Sequence, residues 1–165
     1  MARARPIDGL GAEEPYASAA AKIVAVRARE VADHSEGVLD VAEIDHVHDM
    51  RVATRRLRAA LEVFEPCFPA PQFAEALAEV KAIADALGER RDRDVTIAAL
   101  DGFAESLASP DRRGVASLIE RLAGEQSEAN AALEAFVSPE RLAALSERLF
   151  ELVVEAEVLA GSGHP

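Results

Sequence analysis

Aromatic side chains make up only 4 % of this 165-residue chain, and tryptophan is absent. So lean an aromatic content leaves little for stacking nucleobases, which single-strand binders need beside their basic residues. The one cysteine, Cys67, excludes an internal disulfide and fits a reducing compartment. Cys67 sits between Pro66 and Phe68 with no neighbouring base, which suits packing better than nucleophilic chemistry. No run of about 18 apolar residues occurs, because Glu151, Glu155 and Glu157 interrupt the most hydrophobic stretch. Near the N-terminus, Pro6, Asp8 and Gly9 interrupt any leader-like apolar run. No Gly-rich phosphate loop of the G-x-x-x-x-G-K kind is present. These absences predict a cytoplasmic, non-catalytic protein with no metal or cofactor of its own.

Positive charge is also scarce. Eighteen Lys and Arg face thirty Asp and Glu, for a net charge of −12. Residues 1–47 carry 5 basic and 9 acidic groups, residues 48–94 carry 8 and 9, and residues 95–165 carry 5 and 12. Most of such a surface repels duplex DNA and anionic membranes. Only the middle third is locally basic, so a compact anion reaching one groove remains compatible.

Half the residues are hydrophobic, led by Ala, Leu and Val, a palette for close helix packing. Residues 1–15, with Pro6, Gly9, Gly11 and Pro15, read as a flexible arm. A first helix is predicted from Tyr16 to Asp33, with Ile23, Val24, Val26 and Val31 inward and Gly37 beyond its end. A second starts between Asp40 and Asp45 and runs to about Glu65, where Pro66 stops it. A third, one long helix over 72–106, carries Phe73, Leu77, Val80, Ile83, Ala84 and Leu87 inward, with Gly88 its weak point and the place for any kink. A turn at Ser109, Pro110 and Asp111 precedes a fourth helix, Arg112 to Phe136, with Val115, Leu118, Ile119, Leu122 and Leu133 inward. Ser138 caps a fifth that runs to about Ala160, with Leu142, Leu145, Leu149, Leu152 and Val153 inward. The expectation is an all-α antiparallel bundle of about five helices over 16–160, with 161–165 a frayed tail.

The second helix holds the unusual feature. In His48-Asp49-Met50-Arg51-Val52-Ala53-Thr54-Arg55-Arg56-Leu57-Arg58, helical rotation gathers His48, Arg51, Arg55 and Arg58 within an arc of roughly 80°. Met50, Ala53, Leu57, Leu61 and Phe64 fall on the opposite side. Like charges three and four residues apart disfavour a helix by a few tenths of a kcal/mol per pair. Of the four arginines, only Arg58 has an acid at helical spacing, Glu62. An anion from elsewhere must therefore answer the stripe. It is either a ligand or a carboxylate on a neighbouring helix, with Asp92 and Asp94 the candidates. Arg56 lies to one side, while Lys81 and Arg91 on the third helix can extend the stripe. His46 and His48 are two apart and diverge by about 160°, which argues against a metal site.

Two motifs now carry a resemblance. His48-x-x-Arg51-Val52-x-x-Arg55-Arg56-Leu57-Arg58, closing with Leu61 and Phe64, resembles the signature helix of the CHAD family, the conserved histidine α-helical domain. Leu87-Gly88-x-x-Arg91-Asp92-x-Asp94-Val95 resembles that family's second signature. Arg141-Leu142 to Leu152 is similar to the helix closing the first half of such domains. The resemblance implies a helical fold of two similar halves about a basic groove, binding of inorganic polyphosphate, and residence on polyphosphate granules. It covers the first half of the family pattern, residues 16–160, and a homodimer is one way to supply the second. The chain is acidic, pI near 4.8, where the family is usually basic. Glu155 and Glu157 have no following Lys, so the alternating-Glu signature of the triphosphatase fused to some members is not seen. The binding residues expected are His48, Arg51, Arg55, Arg56, Arg58, Lys81 and Arg91. The alternative is an acidic helical scaffold for protein assembly, its Arg stripe consumed in internal salt bridges.

Overall fold

The computed structural model describes residues 3–161. Five α-helices follow one another: α1 (Tyr16–Asp33), α2 (Ile44–Val63), α3 (Ala70–Glu105), α4 (Ser109–Val137) and α5 (Pro139–Gly161). A single 3-10 turn, Glu65–Cys67, lies between α2 and α3, and no strand occurs among the described residues. α1 packs against α2 and α5, α2 against α3, and α3 against α4.

Helix boundaries follow local chemistry. Ser138 caps α5, its hydroxyl accepting the Arg141 backbone N–H at 3.3 Å. Pro71 and Pro110 sit in the first turns of α3 and α4 rather than ahead of them. A proline there costs nothing, since first-turn N–H groups have no intrahelical acceptor. Those helices accordingly begin two and three residues before the sequence reading placed them. Gly37 does break the chain after α1. Its φ is +73°, and a Cβ there would lie 3.2 Å from the His46 ring, so His46 packs against a turn.

α3 passes through Gly88 as one helix of 36 residues, about 54 Å long at 1.5 Å per residue, as the long apolar period implied. A methyl group at Gly88 would meet nothing within 4 Å. Gly88→Ala should therefore add about 0.5–1 kcal/mol through helix propensity, raising Tm by about 1–4 °C in a thermal melt followed by circular dichroism.

The core is aliphatic. Val47, Met50, Ala53, Leu57 and Leu61 of α2 share one buried cluster with Val80, Ile83 and Leu87 of α3 and Leu145, Leu149 and Leu152 of α5. On α1 the tightest positions are Ala20, Ala21 and Val24, while Ile23 is only partly covered. Small residues there let α1 approach its two neighbours closely. Beyond Asp94 in α3, and before Leu133 in α4, no side chain is fully buried. Val115, Leu118, Ile119 and Leu122 reach only intermediate burial, so the distal parts of α3 and α4 form a two-helix arm outside the main core.

The N-terminal arm is not helical, but it is bonded to α1. Arg5 pairs with Asp33, Arg27 donates to the Arg5 carbonyl at 3.2 Å, and Lys22 donates to the Gly9 carbonyl at 2.8 Å. Buried Glu30 accepts both the Arg5 backbone N–H and the Arg27 guanidinium. Burial alone would raise its pKa; those two donors outweigh it and hold the carboxyl below its ordinary range. The C-terminal tail expected at 161–165 lies outside the described residues except for Gly161, the last residue of α5. No described helix is long and apolar enough to cross a membrane.

Candidate polyanion site

The cationic stripe exists as a helix face because the opposite face is core. Met50, Ala53, Leu57 and Leu61 are buried, which turns His48, Arg51, Arg55 and Arg58 away from the interior. Ile44 and Glu62 fall in the same arc, at the two ends of the stripe. On α3, helical spacing places Lys81, Ala84, Gly88 and Arg91 along one face.

Two ties join these faces. At one end Glu62 accepts from Arg58 at 3.0 Å and lies 3.4 Å from Lys81. The Arg58 hydrogen bond is the main reason its carboxyl stays below the usual range, with Lys81 adding to it. At the other end Arg91 donates to the Ile44 carbonyl at 3.1 Å, bracing the first turn of α2. Between the ties lie Arg51, Arg55 and His48 on α2, and Ala84 and Gly88 on α3. Arg55 is exposed, while Arg51 and His48 are partly covered. Among the described residues none of these three side chains makes a hydrogen bond or ion pair. The small Ala84 and Gly88 leave the α3 side of this stretch low.

The other expected residues divide. Arg58, Lys81 and Arg91 border the stretch but are engaged as described. Arg56 lies off the stripe, where its charge acts on Glu30 of α1 rather than along the groove.

The carboxylates proposed to neutralise the stripe are placed otherwise. Asp94 is buried and paired at 3.0 Å with Arg90 of its own helix. Asp92 is exposed, and among the described residues its carboxylate has no ion pair. Arg90 is fully enclosed and also donates to Asn130 Oδ1 at 2.7 Å. Gln126 donates to Asp94 at 2.6 Å, and Asn130 donates to the Leu39 carbonyl at 2.9 Å. This network joins α3, α4 and the loop that feeds α2, and so helps fix where the stripe starts. Sequence reasoning missed it. The i,i+4 spacing of Arg90 and Asp94 was a visible signal, but Gln126 and Asn130 lie more than thirty residues away.

An all-helical bundle whose second helix is core on one side and cationic on the other is the class of protein these elements define. The chain belongs to the CHAD domain family, which it matches over residues 22–164. No curated protein and no solved structure matches it.

Proposed function

We propose that this chain binds inorganic polyphosphate, or a similar linear polyanion, along the α2 face without turning it over. The observation that carries the reading is that Arg51, Arg55 and His48 have no anionic partner among the described residues. Forked guanidinium groups match phosphate oxygens, and a row of cations climbing about 15 Å of helix suits a repeating anion. Membership of a family associated with polyphosphate supports the same ligand. Arg58 and Lys81 join when the anion displaces Glu62, while Arg91 holds the α2 terminus in place. On this reading the protein works in the cytoplasm, at polyphosphate granules. The scaffold alternative requires the stripe to be neutralised from α3, and Asp94 is committed to Arg90 instead.

Glu62 competes with such a ligand for Arg58 and Lys81. Glu62→Gln should tighten polyphosphate binding modestly, by about 2–5-fold, read by titration calorimetry, because one exposed competitor for both cations is removed. The pH sign is fixed. The Glu62 carboxyl is held below its ordinary range, so it competes throughout neutral pH. This competition is lost only as pH falls through the lowered Glu62 pKa, and Gln should remove that component of the pH dependence.

A further inference from the structure

α1 and α5 run antiparallel: Tyr16 and Leu159 share one cavity, and Ala32 and Leu142 another at the far end. Between those ends lies a groove of about 210 Å³, with Ala25, Ala28 and Ala32 on one wall and Leu149, Phe150 and Val153 on the other. The α1 wall is a depression, because alanines leave room. The α5 wall is a projection, with Phe150 68 % exposed and Val154, one turn on, 40 % exposed. The charges divide in the same way. Arg29 stands exposed on the α1 side, and Glu147 and Glu151 stand exposed on the α5 side. Among the described residues none of these three has an ion-pair partner.

We propose that this face docks a second copy of the chain, as a two-fold dimer whose axis runs along the α1–α5 groove. Rotation about that axis keeps each residue at its own height and lays α1 of one copy over α5 of the other. Arg29 and Ser146 line the groove together, so Arg29 stands level with the partner's Glu147. Phe150 enters the depression at the partner's Ala25 and Ala28. A hole beside a projection, and a cation beside acids, on one surface is the self-complementarity that a two-fold contact requires. A basic amphipathic helix would suit Glu147 and Glu151 but would set its own cations against Arg29. The dimer is independent of the polyanion reading, since the cationic face belongs to α2.

Sedimentation equilibrium of the full chain, from about 1 to 500 µM, tests this. A reversible monomer–dimer equilibrium is expected. Phe150→Glu should weaken it at least about 100-fold, as an interface anchor lost to a charge does, with circular dichroism and Tm unchanged. Arg29→Glu and Glu147→Arg should each weaken it about 10-fold. An equimolar mixture of those two single variants should recover wild-type dimerisation, because both cross-pairs are then opposite in sign. A chain monomeric throughout overturns the proposal and leaves the groove to a different partner, as would tight capture of a basic amphipathic peptide by the monomer. Dimerisation indifferent to Phe150→Glu, or a mixture that fails to recover, overturns it as well.

Discussion

Changing Arg51 and Arg55 together to alanine is expected to weaken long-chain polyphosphate binding at least about 100-fold at low salt. Each guanidinium gives up a charge-assisted contact of about 1.5–3 kcal/mol, and every 1.4 kcal/mol is tenfold in Kd. The salt dependence should flatten as well. Each cation–phosphate contact contributes about 0.7–0.9 to the slope of log K against log salt, so two lost contacts should lower it by about 1.5. Folding should not suffer. Removing two like charges four residues apart relieves a repulsion of a few tenths of a kcal/mol, and alanine is the best helix former. Titrations at two ionic strengths, with a melt of the same variant, provide the check. An unchanged affinity, or a collapse in Tm, defeats the polyanion reading, the latter because it would mean that the stripe is internal wiring.

The opposite pattern is expected at Asp94. Asp94→Ala leaves the Arg90 guanidinium, 0 % exposed, without its carboxylate. Breaking a buried pair by removing one partner costs about 3–5 kcal/mol, since an uncompensated charge stays in the interior. Total stability for a domain is about 5–15 kcal/mol, so much of it goes. Tm should fall by about 6–20 °C. Gln126 loses its acceptor at the same time. Asp92→Ala, two residues away and exposed, should change Tm by no more than about 1–2 °C, as surface substitutions do. Chemical denaturation of both variants discriminates. Equal losses would mean that Arg90 finds another counter-ion.

Helix number and order were legible because the apolar period is strong. The inward faces of α2 and α5 appear in the structure as the spacing implied, from Met50 to Leu61 and from Leu142 to Val153. The α1 face was less legible. Alanines carry a weak hydrophobic signal, so Ile23 and Val26 drew notice that belonged to Ala20 and Ala21. Val115, Leu118, Ile119 and Leu122 have the right period in α4, but only α3 lies beneath them, and period cannot count neighbours. The stripe itself was visible in one dimension. Which acid answers which cation was not, because Glu62 meets Lys81 across a helix pair whose register only packing fixes. Arg56 and Arg58 sit two apart in the sequence, yet one acts on α1 and the other on Glu62.

The two-helix arm has a thermodynamic consequence. Past Asp94 in α3 and ahead of Leu133 in α4, amide hydrogens are protected mainly by their own helical bonds and by half-covered side chains. Opening such a segment exposes little apolar area, so its free energy lies well below that of global unfolding. Solvent deuterium should therefore enter this tip in a separate, early phase while the amides of α2 stay closed. Thermal fraying then proceeds from the arm inward, and the buried Arg90–Asp94 pair is the point at which it meets the cooperative unit of the fold.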